Sequence, residues 1–329
     1  MMRHRLVMFA GGLAAALTFA AGPTAAAALS AEAHGAGLDR AAIDRTVGRI
    51  ATELREAYVF PDRGATAADA LEAERADGAY ADATDPAVFA RRLTDRLRAL
   101  TGDGHVRVIS GSPFGPRPSS PGPEGDGFEV TRLEGGVGYL HVARFAPPET
   151  FAPAADAAMS RLADTAALIV DMRDNGGGHP ASVAYLVSFF LDPDARVHIN
   201  DLVWRERGTT TFRTESFWSS PTPTRYLARP VYVLVGPKTY SAGEEFAYDL
   251  QALRRATVVG ATTRGGANPG GLTELGADLF VVVPTGRAEN PVTRGNWEGV
   301  GVRPDVETAP ETAKDVATAL ALARLATTP

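Results

Sequence analysis

The residues able to do chemistry are few and lie far apart along the chain. Ser241 ends the turn Gly236-Pro237-Lys238-Thr239-Tyr240, between an apolar β-branched run at 231–235 and a helix with Phe246, Leu250 and Leu253 on one face. A second apolar run at 256–259 follows, so the unit reads strand, helix, strand, with a right-handed parallel crossover expected. A hydroxyl at the carboxyl end of a strand and the start of a helix stands where open α/β sheets place ligands. Free backbone N–H groups there favour negative charge. A plainer reading also fits: Ser241-Ala242-Gly243-Glu244 matches the capping box, in which the serine only satisfies helix donors.

Three other stretches carry candidate groups. Asp171-Met172-Arg173-Asp174-Asn175-Gly176-Gly177-Gly178 closes an apolar run and precedes a helix, and its glycines let backbone N–H groups approach a ligand closely. It can serve as a phosphate cradle, an oxyanion hole or a mere flexible loop; no dinucleotide or P-loop glycine motif supports the first. His105 follows the glycine-flanked turn Thr101-Gly102-Asp103-Gly104, and Glu298 sits between Trp297 and Gly299 in a late loop. Lysine occurs only as Lys238 and Lys314, so Lys238 is the one amine close in sequence to Ser241. With no HExxH, no cysteine and no calcium-loop ladder, neither a metal nor another cofactor is expected.

The elements that must position these groups alternate. Helical periodicity at Ile43, Val47, Ile50 and Leu54, a helix over 66–75, and one opened by Asp85 and Pro86 predict a small N-terminal helical domain at 38–100. From residue 101 to 329, strands at 137–145, 167–172, 231–235, 256–259 and 279–283 alternate with helices at 153–162 and 180–191, and a helix from about residue 312 ends the chain. That pattern is an α/β core, interrupted by a Gly/Pro-rich loop at 110–127 and a polar hairpin at 202–214. Residues 1–28 have the basic, apolar and small-residue regions of a secretory signal peptide, followed by a linker at 29–37. The protein is therefore expected to be exported, periplasmic or secreted, with no permanent membrane anchor once the signal is cleaved. Formal net charge is −6, and no basic cluster is present, which argues against a nucleic-acid partner.

Taken together, the segments TGDGH (101–105), LIVDMRDNGGG (168–178), VGPKTYSAGEEFAY (235–248), VVGATTRGGANP (258–269) and NWEGVGVRPD (296–305) resemble the tail-specific, or C-terminal processing, serine peptidases. The resemblance is to the branch shared by the tricorn core domain and the modules of interphotoreceptor retinoid-binding protein. It implies an αβα sandwich of the crotonase and Clp-protease type, preceded by a helical domain. No PDZ domain fits between His105 and Phe128. It also implies Ser241 as nucleophile, and oxyanion N–H groups from Ala242 and from Gly176 or Gly177.

The base is chosen by what is missing. The processing branch uses a lysine in a T-x-G-K-G turn, and here that turn reads Thr262-Thr263-Arg264-Gly265-Gly266. Arg264 does not deprotonate at working pH. The tricorn-like pattern implies His105 as base and Glu298 as its orienting carboxylate, with Lys238 the alternative base. Gly104 departs from that pattern, which has a serine before its histidine. The expected partner is a peptide or an unfolded protein tail. The rival expectation is a non-catalytic binder of apolar ligands, of retinoid or fatty-acid type, or of peptides. An acyl-CoA enzyme on the same fold has no sequence feature in its favour.

Overall fold

A computed structural model describes residues 37–112 and 127–327. The signal segment, all of the linker but residue 37, and residues 113–126 of the Gly/Pro-rich loop lie outside the described residues.

Asp39 caps α1 (Arg40–Ala57), its carboxylate accepting from the Ala42 N–H at 2.6 Å. Pro61 opens α2 (Pro61–Ala76), earlier than the apolar pattern suggests, because a missing N–H costs nothing in a first turn. Asp85 caps α3 (Pro86–Thr101), and Gly102, at φ 67°, ends it in the left-handed conformation that glycine adopts freely. The chain then turns through Asp103 and His105 into β1 (Arg107–Ser110). Beyond the loop come β2 (Phe128–Arg132), β3 (Val137–Val142), α4 (Pro148–Leu162), β4 (Ala167–Asp171) and α5 (Pro180–Ser188). The hairpin β5 (His198–Arg205) and β6 (Phe212–Trp218) is longer than expected. Next are β7 (Val231–Val235), α6 (Ala242–Ala252), β8 (Thr257–Gly260), β9 (Gly270–Gly276), β10 (Leu279–Pro284), β11 (Gly286–Glu289), β12 (Val306–Glu307) and α7 (Ala313–Ala326).

The central sheet has the order β12-β8-β7-β4-β3-β2, parallel throughout except for β2, which runs antiparallel to β3. Its middle strands β4 and β7 are buried at every position, and apolar up to Asp171 at the end of β4, because both faces are covered. Leu168, Val170, Val231, Val233 and Val235 point to the layer of α4, α5 and α6. Ala167, Ile169, Tyr232 and Leu234 point to Ala313, Ala317 and Ala321 of α7. Each such Val or Leu contributes roughly 1.5–3 kcal/mol by leaving water. This is the αβα sandwich. The N-terminal helices share their core with a second sheet, β1-β10-β9, through Val106, Val108, Leu275, Leu279, Val281 and Val283. That packing ties the His105 turn to strands from the far end of the chain. Among the described residues, no helix is long and apolar enough to cross a membrane.

Candidate active site

Ser241 lies at the carboxyl end of β7, at the cap position of α6, with φ 54° and ψ −121°. A capping serine ordinarily has extended backbone, so this strained conformation costs on the order of 1–3 kcal/mol and must be held by its surroundings. Glu244 does part of that, accepting the Ser241 N–H at 2.9 Å, and its buried carboxylate also takes the Thr263 hydroxyl (2.5 Å), the Gly265 N–H (2.6 Å) and the Gly266 N–H (2.8 Å). The neighbouring Tyr240 N–H donates to the Asn175 carbonyl at 3.0 Å. Asn175 itself is fully buried. Its Nδ2 donates to the Val142 carbonyl and its Oδ1 accepts the Gly177 N–H, both at 2.9 Å.

The triglycine loop thus lies directly against the serine. A Cβ on Gly177, at φ 114°, would fall 2.9 Å from Ser241 Cβ and 3.2 Å from Ala242 N, so only glycine fits. Ala242 is the first residue of α6, and its N–H has no partner within the helix. Of the two glycines expected as alternative donors, Gly177 gives its N–H to Asn175 Oδ1, while a Cβ on Gly176 would meet nothing within 4 Å.

His105 is 8 % exposed, and its ring packs on that of Tyr240 at 4.6 Å between centroids. Its Nδ1 is 3.9 Å from Asp103 Oδ1. One donor atom each from Asp103, His105 and Glu298 lies within 4.8 Å of the others. Glu298 Oε2 accepts the Ala267 N–H at 2.6 Å, whereas Glu298 Oε1, both His105 ring nitrogens and the Tyr240 hydroxyl are buried without hydrogen-bond partners. Burial, aided by the positive charges of Arg107, Arg264 and Arg98, lowers His105 to about 4. Burial and then the Asp103 charge raise Glu298 to about 7. At neutral pH the imidazole is therefore uncharged, the form a base needs.

No hydrogen bond joins His105 to Ser241. Gly266 connects their surroundings. It lines the cavity beside Ser241, and a Cβ on it would fall 2.6 Å from His105 Cε1 and 2.2 Å from Tyr240 Cε2. Catalytic hydrogen bonds that are long without substrate commonly close with it. Lys238 has a different setting: its side chain is 82 % exposed and pairs with the exposed Asp174 at 3.1 Å. A lysine base normally works desolvated.

The cavity beside Ser241 is small, about 40 Å³, with walls from Pro180, Leu202, Ala288, Trp297 and the buried Glu245. Burial pushes Glu245 up to about 8, against a hydrogen bond from Asn200. A larger cavity of about 580 Å³ lies at the amino ends of β7 and β8, lined by Arg229, Arg254 and Arg255. It holds no nucleophile and sits at the wrong end of the strands for the chemistry of this fold. Size does not mark the site here.

Local sequence reasoning did not single out Asn175, Tyr240, Asp103 or the hub role of Glu244. Only the capping-box spacing pointed at the last.

A hydroxyl on a strand–helix corner, packed against a triglycine bend, with the ring of the adjoining Tyr240 against a buried neutral imidazole, is compatible with a serine hydrolase on an αβα sandwich. The comparisons narrow that class. Residues 136–308 match the model of peptidase family S41, and residues 27–126 match the N-terminal domain of that family in eukaryotic interphotoreceptor retinoid-binding protein. The chain belongs to peptidase family S41 and is a serine peptidase. Its fold is similar to that of a putative peptidase from Parabacteroides merdae, with 22 % identity and TM-score 0.63, covering 85 % of this chain and 97 % of that one. It is also similar to the photosystem II D1 C-terminal processing protease, with 18 % identity, TM-score 0.54, and 82 % and 94 % of the two chains covered. A lipoprotein from Streptococcus agalactiae shares the fold at 12 % identity and TM-score 0.57, over 85 % of this chain and 96 % of that one.

Proposed function

We propose that the protein is an exported serine peptidase that cleaves unfolded tails or short peptides through a Ser241–His105–Glu298 acyl-enzyme mechanism. The observation that carries this reading is the meeting of His105 and Glu298 within 4.8 Å, with His105 against Gly266, a residue that also lines the Ser241 cavity. Ser241 Oγ attacks the peptide carbonyl carbon while His105 takes its proton. The Ala242 and Gly176 N–H groups stabilise the oxyanion. The tetrahedral adduct collapses, the C–N bond breaks, and His105 returns the proton to the leaving amine. Water, deprotonated by the same imidazole, then hydrolyses the ester. Glu298 holds the ring's tautomer and balances the imidazolium charge. General-base help supplies about 10²–10⁴ in rate and an oxyanion donor about 10²–10³.

A cavity of about 40 Å³ favours a small substrate side chain beside the scissile bond. It also disfavours the rival binder of retinoids or fatty acids, since such ligands need roughly 300 Å³ or more. Export rests on the signal-like residues 1–28. The test is hydrolysis of an unstructured peptide library by the wild type and by Ser241→Ala. A loss of about 10⁴-fold or more is expected, and equal rates would refute the mechanism. Labelling by a fluorophosphonate, mapped to residue 241, gives an independent readout of the nucleophile.

A further inference from the structure

We propose that Asp103, His105 and Glu298 form a zinc site, and that zinc bound there switches the peptidase off. The inhibitory half rests on the serine-peptidase mechanism proposed above; the binding half does not.

Three observations on the described residues lead to it. One donor atom from each side chain already lies within 4.8 Å of the other two. Ligands about 2.0–2.2 Å from a tetrahedral zinc stand roughly 3.5 Å apart, so the set has only to draw inward by about 1 Å. Next, these donors are left without protein partners. His105 is nine-tenths buried with both ring nitrogens unpaired, and Glu298 Oε1 is buried and unpaired. Buried polar atoms are ordinarily satisfied, and this concentration of exceptions calls for an occupant.

Finally, the remaining ligand is braced as metal carboxylates usually are. Asp103 Oδ1 accepts the His105 N–H at 2.9 Å, and Oδ2 accepts from the Tyr58 hydroxyl at 3.2 Å and from Asn268 Nδ2 at 2.9 Å. One imidazole and two carboxylates suit zinc, and their two negative charges neutralise it. Magnesium and calcium ask for more oxygens than this set offers. The ligands come from residues 103 to 298, so no local spacing announces them.

Zinc and the serine compete for the same electrons. A lone pair on His105 that is given to the metal is not available to take the Ser241 proton, and a metal-bound Glu298 no longer orients the ring.

The experiment uses the full chain carrying Ser241→Ala, stripped of metal and titrated calorimetrically with zinc chloride near neutral pH. Micromolar binding is expected, with no heat from magnesium and at least tenfold weaker affinity when Glu298→Gln or His105→Ala is added. The half-buried pair His198 and Asp201, 2.7 Å apart, can also hold zinc, so the variant comparison decides rather than the stoichiometry. Cobalt replacing zinc in the unmutated chain should give the intense visible bands of a tetrahedral site, a readout independent of any variant's folding. Wild-type hydrolysis should fall at least tenfold with zinc and recover with chelator.

Zinc binding that persists in both double variants, or that is absent at about 100 μM, overturns the site. Binding that leaves hydrolysis untouched overturns the switch. A chain that binds zinc through these residues yet never cleaves peptides would uphold the site and reject the peptidase mechanism instead.

Discussion

The two halves of the proposed catalytic centre are built on opposite plans. Around Ser241, the buried side chains of Asn175 and Glu244 are bonded on both of their polar atoms. Asn175 bridges Val142, Gly177 and Tyr240, and Glu244 gathers donors from Ser241, Thr263, Gly265 and Gly266. Around His105, the imidazole nitrogens, Glu298 Oε1 and the Tyr240 hydroxyl are buried and unmatched. A strained serine needs a rigid, fully bonded frame. In the proposed mechanism the unpaired ring nitrogens of His105 are open to the serine hydroxyl once substrate closes the site. Bonded polar groups therefore surround the serine, and unmatched ones surround the imidazole.

That contrast is open to direct attack. The largest effect expected short of removing the serine is His105→Ala, which should cut kcat/KM by about 10²–10⁴-fold while leaving the urea midpoint unchanged or raised. A midpoint that falls sharply would erase the contrast, because it would mean the imidazole is structurally satisfied. Gly177→Ala should act on both axes. A Cβ pressing on Ser241 from 2.9 Å is expected to lower kcat by about 10²-fold, and the φ of 114° to cost about 1–3 kcal/mol in denaturant titration. Asn175→Ala strands the Val142 carbonyl and the Gly177 N–H, and should destabilise the fold by roughly 2–6 kcal/mol, at about 1–3 kcal/mol for each buried group.

The pH profile sharpens the same comparison at smaller scale. The proposed active form has neutral His105, present above about pH 4, and ionised Glu298, present above about pH 7. Activity should therefore climb about tenfold per pH unit up to neutrality, and Glu298→Gln should abolish that limb while lowering the plateau.

The stability signs oppose one another. Glu298, raised in the fold from 4.5, favours the native state most below pH 4.5, and that contribution is lost as pH rises through 7. His105, lowered from 6.5, contributes above pH 6.5, and loses its contribution as pH falls through 4. The smallest change expected is Tyr240→Phe. Deleting an unpaired buried hydroxyl should leave stability the same or up to about 1 kcal/mol higher by thermal melting, and move the rate only a few-fold.

Much of this frame was legible from residue order. The run at 231–235 is apolar at each position because it has helices on both faces, and Asp85-Pro86 and Gly102 punctuate α3 where their backbone preferences require. Ser241 stands at its strand–helix corner as the spacing indicated. The capping-box reading was half of the truth. Glu244 does accept the Ser241 N–H, yet the serine's φ of 54° is not that of an ordinary cap, and the carboxylate serves the 263–266 turn as well.

The rest depends on contacts across long loops, which periodicity does not encode. The structural role of Asn175 is not encoded locally, because its partners Val142 and Tyr240 lie on other elements. Strand β9 begins Gly270-Gly271, and β11 is four residues long, so neither shows an alternating apolar pattern. Asp103 drew no separate notice because its partners are Tyr58 and Asn268.

Gly265 stands where a lysine-dependent relative would carry its base, and it now has a steric meaning. Its φ is 86°, and a Cβ there would meet Gly301 N at 3.0 Å and Val300 N at 3.1 Å, in the loop that delivers Glu298. Grafting lysine at 265 should thus push that loop away before any amine reaches the serine. The two modes of activation are alternatives in space as well as in chemistry.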